Sequence, residues 1–290
     1  MMTRLGIALM WLLHFLPLSL LAPLGEGWGL LLYAFGSERR RVARTNLRLC
    51  FPQMANEERK RLVKSHFQAF GRSFLERGLL WWAPKERIMR LIHVEGEEHL
   101  QPCTGKPVIL LTPHFVGLDM GWTRLSCEKQ LSSTYCRQKN PLFDTLLLQG
   151  RTRFGKPQLF SRQDGMRPVV RAIGEGLPFY YLPDMDFGSR DSIFVPFFGV
   201  PAATITGLSR LARMTGATVV PCVTRQLPDG KGYVVKFHPA WGNFPGESVE
   251  SDTRRMNAFI EQCVLEMPEQ YFWLHKRFKS RPPGEARFYL

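Results

Sequence analysis

The chain has 290 residues, enough for one large α/β domain or two small domains. Its net charge of +14 implies a polyanionic partner: nucleic acid, an anionic membrane, or an acidic or phosphorylated molecule. The six cysteines are scattered without a CxxC pair, which argues against a disulfide framework or a zinc site and favours reduced thiols. No basic run interleaved with aromatic residues occurs, so the composition argues against nucleic acid as the partner.

The N-terminus is strongly apolar. Residues 5–24 form an almost continuous apolar stretch, about the length that crosses the hydrocarbon core of a bilayer, and residues 27–35 add a shorter one. A cleavable signal peptide is the competing interpretation, but the stretch is long and no clear small-x-small cleavage site follows it. Pro17 and Pro23 leave open a kinked helix that enters one leaflet without spanning the bilayer.

A cluster of arginines follows the apolar region directly. Its members are Arg39, Arg40, Arg41 and Arg44. Positive residues favour the cytoplasmic side of a membrane, where they can lie against anionic headgroups. The sequence therefore predicts an uncleaved membrane anchor over residues 1–35 and a single α/β domain over residues 36–290 on the cytoplasmic side.

Beyond the arginines, apolar residues at helical spacing predict a long helix over residues 57–80. The remainder alternates between strands and helices. The predicted strands are residues 108–112, 131–137, 157–160, 178–183, 218–224 and 233–238. The predicted helices are residues 117–128, 141–154, 167–174, 204–214 and 251–267. Short apolar runs between helices indicate a largely parallel central sheet covered by helices on both faces.

A histidine and a carboxylate follow the first of these strands. His114 and Asp119 can meet if the histidine lies on the strand-to-helix turn and the aspartate in the first helical turn. Histidine supplies a base that titrates near neutral pH, and a carboxylate can hold its other ring nitrogen and stabilise the imidazolium. A His five residues from an Asp also arises by chance, so this spacing alone leaves a structural role open.

Two further carboxylates follow a predicted strand. Asp184 and Asp186 come after the apolar run 178–183 and should lie at the same sheet edge as His114, within reach of a substrate. The competing interpretation is a turn with solvated aspartates, which the pattern alone slightly favours. A metal site is disfavoured because no second histidine lies nearby, and the sequence contains no HExxH, GxSxG or Walker motif.

Several cations lie at and just after the end of the helix predicted over residues 141–154. Arg151, Arg153 and Lys156 fall within six residues, and Arg162 follows closely. A solvated helix end explains most such runs. The functional alternative is a clamp for phosphate groups or a developing oxyanion, to which the planar guanidinium is suited.

Longer segments carry a resemblance to a known family. The HFVGLD segment beginning at His114 matches the HxxxxD/E signature of glycerolipid acyltransferases. Five further segments are similar to bacterial lipid A late (secondary) acyltransferases: residues 39–52, 139–144, 150–155, 191–200 and 268–279, the last reading PEQYFWLHKRFK. The signature alone is short, but the resemblance extends from the apolar N-terminus nearly to the last residue.

The resemblance implies an enzyme at the cytoplasmic face of the bacterial inner membrane. Such an enzyme moves a fatty acyl chain from acyl carrier protein, its co-substrate, to a hydroxyacyl chain on a lipid A precursor, without a cofactor. By position, His114 corresponds to the general base, Asp119 to its orienting carboxylate, Arg151 to an arginine of the active cleft and Asp184 to an acidic position.

These assignments predict direct transfer without an acyl-enzyme. Arg153, Lys156 and Arg162 are expected to hold the lipid phosphates. One alternative is an acyltransferase acting on a lysophospholipid, an ornithine lipid or another glycolipid. A more distant alternative is a non-enzymatic, membrane-tethered interaction protein.

Overall fold

The structure is a computed structural model that describes residues 2–161 and 165–289. Its α-helices are α1 (Met2–Leu13), α2 (Leu18–Phe35), α3 (Ser37–Cys50), α4 (Asn56–Trp82), α5 (Lys85–Leu91), α6 (Leu118–Ser126), α7 (Pro141–Thr152), α8 (Arg167–Gly174), α9 (Gly207–Thr215) and α10 (Val249–Glu266). Its strands are β1 (Ile92–Glu95), β2 (Val108–Leu111), β3 (Ser132–Tyr135), β4 (Gln158–Ser161), β5 (Phe179–Tyr181), β6 (Ser192–Phe197), β7 (Val200–Ile205), β8 (Thr218–Gln226) and β9 (Tyr233–Phe237).

Within the described ranges, seven strands form one sheet in the order β1-β9-β8-β2-β5-β3-β4, and all neighbours are parallel except β8 and β9. Every residue of the central strand β2 is buried. Ile109 and Leu111 pack into one apolar core, and Val108 and Leu110 into a second. Successive side chains of a strand point to opposite faces, so β2 reads as a continuous apolar run because helices cover both faces. The predicted α/β fold is confirmed.

The helix predicted over residues 204–214 begins later than expected. Residues 192–205 form an antiparallel hairpin of β6 and β7, and Thr204 lies in β7 rather than at a helix N-terminus. The hairpin turns at Phe198 and Gly199, both with positive φ (48° and 77°), as a two-residue loop matched to strand twist requires. Helix α9 starts at Gly207. The long helix predicted over residues 57–80 is confirmed as α4.

The apolar N-terminal helices pack against the α/β domain. A Cβ placed on Gly29 would lie 2.1 Å from the carbonyl oxygen of Phe67, and one on Gly71 would lie 2.4 Å from that of Gly25. The backbones of α2 and α4 therefore touch, and only glycine permits this approach. Helices α1 and α2 lie along the α/β domain, and the domain boundary expected at residue 35 stays a prediction.

Candidate active site

The strand register brings His114 and Asp184 together. In the parallel pair β2–β5, Leu111 is opposite Tyr181, and each functional residue lies three positions further along its chain. The backbone N–H of Thr112 donates to the Tyr181 carbonyl at 2.8 Å, which extends the pairing past the ends of the strands. Both side chains therefore emerge at the carboxyl edge of the sheet, where ligands bind in open α/β folds.

The histidine ring is held by this aspartate through two contacts. Nδ1 of His114 lies 2.6 Å from Oδ1 of Asp184, and the backbone N–H of His114 donates to Oδ2 at 2.9 Å. An ionised carboxylate only accepts hydrogen bonds, so Nδ1 carries the ring proton and Nε2 is the nitrogen left to accept another. The His114 side chain is 19% exposed, whereas the Asp184 side chain is fully buried. The arrangement is that of a base oriented by a buried carboxylate.

The environment keeps Asp184 ionised. Burial raises the pKa of its carboxyl group, but the charge and hydrogen bonds of His114 and the charge of Arg277 outweigh burial, and the pKa lies below its ordinary value. Arg277 is itself buried and donates to the Ala203 carbonyl and the Thr204 hydroxyl, both at 2.8 Å. The β6–β7 hairpin thus positions the cation that faces Asp184. The interpretation of Asp184 as a solvated turn residue was wrong.

Asp119 lies in the first turn of α6 and His114 on the preceding turn, as the sequence predicted. The aspartate does not take the ring hydrogen bond expected of it. Its oxygens instead lie 2.8 Å from a guanidinium nitrogen of Arg151 and 3.4 Å from one of Arg77. Burial raises the pKa of Asp119, and the charges of Arg151 and Arg77 overcome this effect and lower it to about 2. Asp184 is therefore the orienting carboxylate, and Asp119 is an anion between two arginines.

Arg153 and Lys156 differ in their surroundings, and neither lies in this cluster of contacts. The guanidinium of Arg153 donates to the carbonyls of Leu80 at 2.7 Å and Ala83 at 2.9 Å, so it joins the end of α7 to the end of α4. These bonds give Arg153 a structural role that the sequence did not predict, and its expected contact with lipid phosphate stays a prediction. Lys156 is exposed. Arg162, the other predicted phosphate ligand, lies outside the described residues.

Asp186 is buried and forms hydrogen bonds with the C-terminal segment. It accepts hydrogen bonds from the backbone N–H of Ser280 at 2.6 Å, the Ser280 hydroxyl at 2.9 Å and the backbone N–H of Gly188 at 2.9 Å. Its own N–H donates to Nε2 of His275 at 2.9 Å. Burial, and to a smaller extent the charge of nearby Arg277, lowers the pKa of His275 to about 4. Both oxygens of the Asp186 carboxylate are therefore occupied in holding the C-terminal segment and its own turn, which corrects the predicted substrate-binding role.

The segment after α10 forms backbone hydrogen bonds with the loop that carries His114. Phe272 donates its N–H to the His114 carbonyl, and Val116 donates its N–H to the Gln270 carbonyl, both at 2.9 Å. A single antiparallel bridge links Phe115 to Tyr271 between them. The loop that carries His114 is therefore held by backbone contacts on both sides of the histidine.

Sequence reasoning missed three cationic or titratable residues of the site: Arg77, His275 and Arg277. The last two lie in the C-terminal block that resembles the acyltransferase family, and this resemblance was their signal. Arg77 lies in α4, where nothing in the pattern distinguishes it from a surface arginine. Among the described residues, no three His, Cys, Asp or Glu side chains are grouped so that they could hold a metal ion.

Comparison with known proteins places the chain in a family. The model of the family described as bacterial lipid A biosynthesis acyltransferase matches residues 1–280. The lipid A biosynthesis lauroyltransferase of Escherichia coli (strain K12) is 39% identical over 98% of this chain and 93% of its own length. The palmitoleoyltransferase and myristoyltransferase of lipid A biosynthesis from the same organism are each 32% identical, over 100% and 93% of this chain and 94% and 83% of their own lengths. The chain belongs to the bacterial lipid A biosynthesis acyltransferase family.

Proposed function

We propose that this protein transfers a fatty acyl chain from acyl carrier protein to the hydroxyl of a hydroxyacyl chain on a lipid A precursor, within lipopolysaccharide biosynthesis. The names of its relatives support the acceptor class. The observation that carries the chemistry is the 2.6 Å contact between Nδ1 of His114 and the buried Asp184, which leaves Nε2 as the proton-accepting nitrogen.

The mechanism is direct transfer within a ternary complex. Nε2 of His114 takes the proton of the acceptor hydroxyl as its oxygen attacks the thioester carbonyl. The buried Asp184 stabilises the imidazolium that forms. Collapse of the tetrahedral intermediate breaks the C–S bond, and the departing carrier thiolate takes the proton back from the ring. One O–H and one C–S bond are exchanged for one C–O and one S–H bond, and no cofactor is involved.

Arg151 is the proposed electrophilic group. Its side chain is 30% exposed, and one of its terminal nitrogens bonds to Asp119. A guanidinium carries five N–H donors, so others remain to stabilise the developing oxyanion. Asp119, which the sequence predicted to orient the histidine, contributes in this mechanism by fixing Arg151 together with Arg77.

The proposed location is the cytoplasmic face of the bacterial inner membrane. Helix α2 is long and apolar enough for membrane contact, and exposed arginines follow it on α3. The net charge of +14 would steer both the acidic carrier protein and the phosphorylated acceptor toward the enzyme.

The decisive experiment is acyl transfer by detergent-solubilised protein. Lauroyl- and myristoyl-carrier protein are offered with a tetra-acylated, Kdo-bearing lipid A precursor and, separately, with lysophosphatidic acid. We expect transfer to the lipid A precursor that is lost in His114→Ala and retained in the control His93→Ala, which alters an exposed histidine. Transfer to lysophosphatidic acid alone would overturn the acceptor. Full activity in folded His114→Ala would overturn the mechanism.

A further inference from the structure

The two N-terminal helices expose large apolar side chains on one face. On α2 these residues follow one another at intervals of four, four, three and four, which is the spacing of a single helical stripe. The apolar stripe consists of Leu20, Leu24, Trp28, Leu31 and Phe35, with exposed fractions of 54%, 50%, 39%, 51% and 84%. Helix α1 adds Leu5, Leu9, Trp11 and Leu12, and Phe15 follows its end, each at least 46% exposed. An apolar face of this extent in a folded chain indicates a surface covered by a partner.

The opposite face of α2 is packed along the domain. Gly25 and Gly29 meet the α4 backbone at Arg72 and Phe67, so α2 and α4 run antiparallel in direct contact. Arg72 is buried and paired with Glu76 at 2.9 Å. Helix α2 therefore cannot enter a bilayer without its neighbour α4, which carries a buried ion pair.

Both ends of α2 also touch polar parts of the same domain. At its N-terminal end, a Cβ on Gly230 would lie 2.6 Å from the Leu18 carbonyl oxygen, beside the exposed pair Asp229–Lys231. At its C-terminal end, Arg40 donates to the Ala34 carbonyl at 3.1 Å. If α2 crossed a bilayer, these two charged regions would lie on opposite sides, with α4 in the hydrocarbon between them. Burying charged and hydrogen-bonding groups in this way is strongly unfavourable.

We propose that α2 does not span the membrane but lies along one leaflet, with the apolar stripe among the acyl chains and both ends on the same side. The occupant of this face is thus a lipid surface. Trp11 and Trp28 stand on the exposed faces, where their rings suit the headgroup boundary. Arg41 and Arg48, exposed on the following helix, favour an anionic leaflet. The inference rests on the proposed membrane association and specifies its geometry.

The sidedness of α2 tests this geometry directly. Ser19 lies in the first turn of α2 and Ser37 lies just beyond its last residue, and both are exposed. Each is replaced by cysteine in a Cys136→Ser background that removes the exposed native thiol. A membrane-impermeant maleimide is applied to spheroplasts and to inverted inner-membrane vesicles. We expect both positions to react only in inverted vesicles. Reaction of Ser19→Cys only in spheroplasts, with Ser37→Cys only in inverted vesicles, would overturn the proposal.

If the bilayer shields Ser19→Cys from the maleimide in both preparations, cross-linking of a cysteine pair decides between the two geometries. Lys231 lies in the loop that meets the start of α2, so a short bismaleimide should join Ser19→Cys to Lys231→Cys in native membranes. A pair that stays unjoined there, but is joined in detergent, would show that α2 leaves the domain to cross the bilayer.

Vesicle flotation tests whether a lipid surface covers the apolar stripe. With vesicles of phosphatidylethanolamine and phosphatidylglycerol, the bound fraction should fall about tenfold in Leu24→Glu/Leu31→Glu. The matched control is Met214→Glu/Leu265→Glu, which changes two apolar residues outside the N-terminal helices that are more exposed than Leu24 and Leu31, and it should float normally. Equal flotation of both variants would overturn the proposal, as would self-association of the wild-type protein that Leu24→Glu/Leu31→Glu abolishes without loss of flotation. Wild-type protein that fails to float would instead refute the membrane association itself.

Discussion

Both oxygens of the Asp184 carboxylate face N–H groups of His114: Oδ1 lies 2.6 Å from the ring Nδ1, and Oδ2 lies 2.9 Å from the backbone nitrogen. One carboxylate therefore fixes the loop and the tautomer of the ring together. Because both contacts need an acceptor, an amide cannot replace the carboxylate: in either orientation its NH₂ group faces one of the two donors.

Asp184→Asn should therefore lower kcat by about 10³-fold or more, since the ring loses both its tautomer control and the anion that stabilises its charged form. The measurement is acyl transfer under saturating donor and acceptor, with folding checked by thermal denaturation. Asp144→Asn is the control, because Asp144 is also a buried aspartate that accepts a backbone hydrogen bond, from Gln138 at 2.7 Å. Equal losses in the two variants would remove Asp184 from the catalytic role.

Asp119 should contribute to stability as well as to activity. Asp119→Asn leaves the guanidinium groups of Arg151 and Arg77 without their anion, and we expect a loss of about 2 kcal/mol in the free energy of unfolding. Denaturant titration measures this change. Asp229→Asn, which removes an aspartate from an exposed ion pair with Lys231, should change stability by less than about 0.5 kcal/mol.

The same carboxylate predicts a pH dependence at the acid extreme. The pKa of Asp119 is lowered to about 2 in the folded protein, below its ordinary value of 3.8. Its stabilisation is therefore complete above pH 3.8 and lost as the pH falls toward 2. In Asp119→Asn, this part of the acid-induced loss of stability should be missing. If the free energy of unfolding of the variant falls between pH 3.8 and 2 as steeply as that of the wild type, Asp119 does not supply this stabilisation.

The position of the site could be predicted from the sequence because it follows from a local pattern. The apolar run Val108–Leu111 has to be a buried strand, and the polar residues directly after it have to lie at the sheet edge. The same argument placed Asp184 at that edge. The choice between Asp119 and Asp184 as the partner of His114 could not be predicted, because it depends on β2 and β5 being neighbours, and strand order is a property of the whole sheet.

Other features escaped prediction because they depend on distant packing. Arg153 looks like a surface cation in the sequence, but the close approach of α7 and α4 gives it two carbonyl partners. Asp186 is anchored by Ser280, more than ninety residues away. The N-terminal region shows the same limit: its hydropathy indicates an apolar helix, but the glycines that seat α2 on α4 acquire meaning only once the two helices are paired.

Buried His66 predicts a loss of stability at mildly acidic pH. Its Nδ1 lies 2.9 Å from the Glu269 carbonyl, and burial lowers its pKa from 6.5 to about 4. Between these values the unfolded chain binds a proton that the folded chain does not. The stabilisation is thus complete above pH 6.5, falls as the pH drops toward 4, and changes by about 3 kcal/mol over that range.

The comparison that isolates this contribution is His66→Leu against His93→Ala. The first variant should show a shallower dependence of unfolding free energy on pH between 6.5 and 4, even if it is less stable at neutral pH. The second changes an exposed histidine and should retain the wild-type slope. An identical slope in all three proteins would show that His66 does not supply the linkage.

Two glycines of α2 should respond in opposite ways to the same substitution. A Cβ on Gly29 would overlap the Phe67 carbonyl, so Gly29→Ala must separate α2 from α4 and should lower stability by about 2 kcal/mol or more. A Cβ on Gly27 meets nothing within 4 Å, and Gly27→Ala should raise stability by about 0.5–1 kcal/mol because alanine favours the helix. Thermal unfolding in detergent measures both effects. Equal stabilisation by the two variants would mean that α2 does not pack on α4, and the one-leaflet geometry of α2 would then lose its basis.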